Sequence, residues 1–181
     1  MITSVSNIKN ITMIGLMAAL ITICSWISIP TTVPFTMQTF AVFFAICLLG
    51  GKRGFLSVLV WLLLGAMGLP VFSGFTGGIG KFANVTGGYL LGLLLSSLLV
   101  WWITHLFGTK LPVLIISMIL GLIGCYALGT FWFYALALHS GNTTSVFAIL
   151  MSCVFPFVLP DTIKIFLAIS ISKTIKKYIF I

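Results

Sequence analysis

A carboxylate and an ammonium stand three positions apart in Pro160-Asp161-Thr162-Ile163-Lys164, inside a stretch otherwise made of hydrocarbon side chains. Asp161 is the single acidic residue among 181. Residues three apart on a helix share a face, so the two charges project together. A charge at membrane depth costs about 3 kcal/mol or more, and it persists where it is paired and turned toward a polar interior. Asp161 can accept hydrogen bonds and Lys164 can donate them. Binding a small polar ligand is within their chemistry. The other reading is an intramembrane salt bridge that only fixes the packing of its helix.

Further polar groups gather in the glycine-rich segment from Phe72 to Gly88, which carries Ser73, Thr76, Lys81, Asn84 and Thr86. Glycine allows the backbone to approach a ligand closely. Irregular backbone at membrane depth survives when it is buried in protein or lines a cavity; the alternative is a flexible surface loop. Catalysis finds little support. The sole carboxylate lies beside a lysine, no base-and-nucleophile set is evident, and no metal-ligand or phosphate-loop motif is present. A proton relay would need a second intramembrane carboxylate. His105 and His139 read as interfacial residues. No cofactor is expected.

These groups must be positioned by a membrane domain. Hydrophobic residues make up 61% of the chain and charged residues 6%, against about 25% charged in soluble domains. Mean hydropathy is +1.30. The chain is expected to be one all-α integral membrane domain, with room for six spans of about 20 residues. The helices are expected at about 8–28, 37–49, 55–67, 89–107, 113–138 and 160–178. Pro156 and Pro160 divide the last apolar run, predicting an entry segment, a kink, and a final helix starting at Pro160. That start places Asp161 at a helix N-terminus, where the dipole favours an acid.

The net charge of +8 does not imply a nucleic-acid partner. With both termini inside, Lys9, Lys52, Arg53, Lys110, Lys173, Lys176 and Lys177 fall on the cytoplasmic side, and Lys81 alone outside. That asymmetry is the positive-inside pattern. The same orientation puts the Pro34 loop, the glycine-rich segment and the start of the last helix on the outer face. Cys24, Cys47, Cys125 and Cys153 all lie in apolar runs and read as small packing residues. Gly15 and Ala19, four apart on the first helix, form a small-residue pair. It serves either packing within the domain or docking of a partner membrane subunit.

The ordered motifs Val33-Pro34-Phe35-Thr36-Met37-Gln38, Leu49-Gly50-Gly51-Lys52-Arg53-Gly54, Leu64 to Gly74, Thr86-Gly87-Gly88-Tyr89-Leu90 and Pro160-Asp161-x-x-Lys164 resemble the BioY proteins. These are the biotin-specific S-components of energy-coupling-factor (ECF) vitamin transporters, and the resemblance spans about residues 8 to 178. It implies a six-helix domain in the lipid bilayer that captures biotin from outside and topples against a transmembrane coupling subunit driven by two ATPase subunits. It implies that Asp161 and Lys164 bind the ligand and that Gly15 and Ala19 meet the coupling subunit. Gln38, Thr76, Lys81, Asn84 and Tyr89 are the further site candidates, with Phe35, Phe72 and Phe75 as apolar walls.

Three departures from the family pattern matter. Thr76 stands where members often have Asn or Arg, Leu90 where some use Arg to reach the ligand, and Asn84-Val85 where Gly-Pro is usual. The ligand carboxylate therefore needs another donor, for which Lys81 and Asn84 are the candidates. Rival expectations are an S-component for another vitamin, a stand-alone facilitator, and a structural membrane subunit.

Overall fold

The computed structural model describes residues 2–141 and 144–179. Positions 142 and 143, in the expected polar loop after the fifth helix, lie outside the described residues. Seven α-helices occur among them: α1 (Ile2–Trp26), α2 (Gln38–Leu49), α3 (Gly51–Ala66), α4 (Gly87–Phe107), α5 (Leu111–His139), α6 (Val146–Cys153) and α7 (Phe155–Ile179). A two-residue antiparallel ribbon, β1 (Ser28–Ile29) with β2 (Phe35–Thr36), closes the loop between α1 and α2.

At the centre lies α2. It is apolar all round, and every residue but Phe40 is buried, as such a helix must be. It lies against α1, α3, α4 and α7. Gly50, at φ 87°, makes the whole α2–α3 turn. A tight basic turn over residues 50–54 was expected, with the next helix starting at 55. Instead Lys52 and Arg53 ride in the first turn of α3, because one left-handed glycine reverses the chain. Arg53 donates to the Asn10 side chain of α1 at 2.8 Å.

The next pair, α4 and α5, packs as an antiparallel hairpin through small residues. A side chain at Gly92 would collide with the Cys125 backbone, and one at Gly121 with Ser96. Close backbone approach of this kind suits helices in lipid, where dispersion rather than hydrophobic transfer holds them together. All four cysteines are buried and free.

The last helix departs from expectation. Val154 adopts φ −125°, ψ −60° and breaks the chain between α6 and α7; α7 then starts at Phe155 and carries Pro160 in its interior. Pro156 sits in the first turn, where a missing N–H is harmless, and interior proline is tolerated in packed membrane helices. Asp161 thus lies almost two turns inside α7, beyond the first-turn reach of the helix dipole. Neighbouring side chains, not the helix terminus, stabilise its charge.

Among the described residues, four helices are long and apolar enough to cross a membrane: the segments Asn7–Trp26, Gly87–Phe107, Leu111–His139 and Phe155–Tyr178. With 12 and 16 residues, α2 and α3 would rise about 18 and 24 Å, less than the roughly 30 Å hydrocarbon core.

Candidate functional site

At the end of the bundle that holds the ribbon, a cavity of about 170 Å³ opens among α2, α4, α5, α7 and the segment between α3 and α4. Asp161 and Lys164 are 4% and 5% exposed, and both line it. Lys164 Nζ donates to Asp161 Oδ1 at 2.8 Å and to the Thr36 carbonyl at 2.6 Å. It also sits over the Phe35 ring, 4.1 Å from the centroid. The second carboxylate oxygen, Oδ2, accepts from the Tyr126 hydroxyl at 2.8 Å. An ammonium has three donors and a carboxylate about four acceptor sites. Each partner therefore keeps capacity beyond the bonds it makes here.

The glycine-rich segment is tied down rather than loose. Trp26 and Trp61 donate their indole N–H groups to the Pro70 and Val71 carbonyls at 2.8 and 3.1 Å. Gly78 N–H reaches back to the Gly65 carbonyl at 2.7 Å. The Phe72 ring lies against Gly65, where a β-carbon would be 2.0 Å away. Indole, backbone and ring contacts together hold the segment so that Ser73, Thr76, Lys81 and Thr86 line the cavity.

Of the sequence-based candidates, Gln38, Thr76, Lys81 and Tyr89 join the pair in the lining. The amide Nε2 of Gln38 is buried with no hydrogen-bond partner among the described residues, and its oxygen lies 3.3 Å from the Thr36 hydroxyl. Thr76 Oγ1 donates to the Ser73 carbonyl at 2.9 Å. Asn84 does not line the cavity: it is exposed, and its carbonyl accepts from the Trp132 indole at 3.2 Å. Leu90 does line it and offers only hydrocarbon. Phe72 forms a wall. Phe75 is 65% exposed, stacked on Trp26 at 4.9 Å, and belongs to the outer surface.

Tyr126 and Phe157 were not foreseen. Tyr126 borders the face of α5 whose small residues Gly121, Cys125 and Gly129 recur every four positions and meet α4. That spacing was the available signal, hidden in an unbroken apolar run. Phe157 packs on Phe35 at 5.7 Å between centroids.

Gly15 and Ala19 do not line this cavity and are exposed on α1. A side chain at Gly15 would meet nothing within 4 Å. Internal packing of the domain therefore makes no use of this glycine.

Chemically, the cavity offers an acceptor next to a donor at one end, apolar and aromatic walls, and the Lys81 ammonium elsewhere in its lining. An apolar cavity with a few convergent polar groups is the usual form of a small-molecule site. Among the described residues, no group of three His, Cys, Asp or Glu could hold a metal.

The sequence model of the BioY family matches residues 1–180. A biotin transporter of Thermotoga maritima is 38% identical over 166 residues, covering 90% of this chain and 93% of that protein. A probable biotin transporter of Pyrococcus horikoshii is 34% identical over 170 residues, covering 93% and 96%. The crystal structure of the S-component for biotin from an ECF-type ABC transporter superposes with a TM-score of 0.81 at 28% identity, covering 95% of this chain and 93% of that one. With several apolar helices of spanning length, this is a multi-pass membrane protein, and its relatives are named as transporters, not enzymes. On the family match and these relatives, the chain belongs to the BioY family.

Proposed function

We propose that this chain is the biotin-capturing S-component of an ECF transporter. The observation that carries the reading is the buried Asp161–Lys164 pair turned into a cavity with apolar walls. The ureido ring of biotin presents N–H groups on either side of one carbonyl. Asp161 accepts from an N–H, and Lys164 donates its remaining hydrogen to the carbonyl. Phe72, Leu90, Leu93 and Phe157 enclose the thiophane ring and valeryl chain. Lys81 takes the carboxylate, the role that Leu90 cannot fill. The lining holds two cationic groups, Lys164 and Lys81, and one anionic group, Asp161. That balance suits an anionic vitamin better than a cationic one such as thiamine.

Delivery needs partners, since the chain has no nucleotide-binding motif. In this reading α1 to α5 and the α6–α7 unit make six crossings, both termini are cytoplasmic, and short α2 and α3 are shielded by their neighbours. The exposed Gly15 and Ala19 face docks the coupling subunit, which two ATPase subunits drive. Close approach through small residues is the usual way for helices to associate in lipid. The test is titration of the purified protein with biotin and thiamine, followed by uptake in vesicles with and without an ECF module. Tight biotin binding and ATP-dependent uptake support the reading. Biotin uptake without the module would make the protein a stand-alone facilitator, and preference for thiamine would overturn the ligand.

A further inference from the structure

Tyr126 is the residue of this site that no motif announced, and its position gives it two neighbourhoods. On one flank it lines the cavity; on the other it lines an apolar groove of about 550 Å³ between α5 and α6–α7, with Thr130, Phe131, Tyr134, Leu150 and Val158. The groove is walled almost wholly by hydrocarbon and lies along helices of spanning length. The 2.8 Å bond from the Tyr126 hydroxyl to Asp161 Oδ2 links α5 to α7 here. The Tyr126 ring thus stands between a polar cavity and an apolar channel.

Its hydroxyl has an equally specific place. Lys164 holds only Oδ1 of the carboxylate. A carboxylate held at one oxygen still rotates about its Cβ–Cγ bond, a broad torsion with little intrinsic preference. A second donor on Oδ2 fixes the plane, and with it the direction of the lone pairs that neither donor occupies. Those free lone pairs are what an incoming N–H must meet.

We infer that Tyr126 is a positioning residue: its hydroxyl aims the Asp161 carboxylate at the ligand, and its ring closes the cavity against the apolar groove. The inference rests on the reading that the cavity takes biotin, although the Tyr126–Asp161 bond exists without ligand. Orientation and closure are separable. Phenylalanine keeps the ring and loses the hydroxyl, whereas alanine loses both.

The experiment compares Tyr126→Phe, Tyr126→Ala and the wild type as full-length protein in detergent micelles. Biotin affinity, thermal midpoint and the infrared carboxylate stretch are read on the same samples. Asp161 is the only acidic side chain, so subtracting the Asp161→Asn spectrum isolates its band. Tyr126→Phe should bind biotin about 10-fold more weakly, because the carboxylate is no longer aimed before the ligand arrives, and its ligand-free thermal midpoint should fall modestly, because a buried carboxylate loses a donor. Its Asp161 band should shift already in the ligand-free protein. Tyr126→Ala should bind more weakly again and release biotin faster. Wild-type affinity in Tyr126→Phe, or weakened binding with an unmoved Asp161 band, overturns the aiming role. Equal affinities for the Phe and Ala variants overturn the closing role. Failure of the wild type to bind biotin strikes the functional reading instead, while the ligand-free band shift still decides whether Tyr126 holds Asp161.

Discussion

The two walls of the cavity are built on different terms. On the α5–α7 side, Asp161, Lys164, Tyr126 and the Thr36 carbonyl bond to one another at 2.6–2.8 Å. In the rest of the lining Gln38, two residues from Thr36, holds a buried amide nitrogen with no partner among the described residues, and Lys81 is partly exposed at the end of a short 3-10 turn, Ile79–Lys81. One wall is organised before any ligand arrives. The other contains groups that a ligand would complete. Preorganised donors and acceptors favour binding because little ordering remains to be done, whereas unsatisfied buried groups destabilise the empty protein. A division follows: the first wall fixes which polar edge is recognised, and the second couples ligand binding to stability.

The largest effect should come from the organised wall. Lys164→Ala leaves the Asp161 carboxylate buried without its cation, a change that costs about 3–5 kcal/mol in comparable sites. The thermal midpoint should fall, and biotin affinity should drop by more than about 100-fold in calorimetric titration. If Lys164→Ala bound normally, the pair would be a packing device and the contrast between the walls would be lost.

Next comes Lys81. Lys81→Ala should weaken biotin by about 10-fold while leaving the affinity for biotin amide, which lacks the charge, nearly as in the wild type. Equal losses for the two ligands would remove Lys81 from the carboxylate. Gln38→Leu should act in opposite directions on the two states. Removing an unpaired buried amide should raise the ligand-free thermal midpoint, while the loss of its hydrogen bond should weaken biotin about 5-fold. A stability change without an affinity change would place Gln38 outside the ligand's reach. The smallest effect on binding is expected on α1, outside the cavity lining. Gly15→Leu should keep the biotin affinity within about twofold, since nothing packs there, yet abolish co-purification with the coupling subunit. Lost binding would return Gly15 to internal packing.

How much of this was legible beforehand depended on how exceptional each residue is in its surroundings. Asp161 could be found because a lone carboxylate in a hydrocarbon-rich chain is energetically costly, and Lys164 because of its spacing. The glycine-rich segment announced itself through composition. Tyr126 did not, since a tyrosine inside an apolar run of α5 is unremarkable until α7 is folded against it. The start of α7 was misplaced because proline was read as a break; the break is at Val154, a residue with no local signal. Asn84 was named for its polarity and location, neither of which says which way the backbone turns. It turns outward, where Trp132 takes its carbonyl. Gly15 was ambiguous between packing and docking until the surface of α1 was visible.

The most direct test of the central claim is calorimetric titration of biotin into the wild type and into Asp161→Asn, whose side chain is nearly isosteric. The account predicts tight binding by the wild type and a loss of more than about 100-fold in the variant, because Asn turns an acceptor wall partly into a donor and leaves Lys164 without its counter-ion. Equal affinity in the two proteins would contradict it.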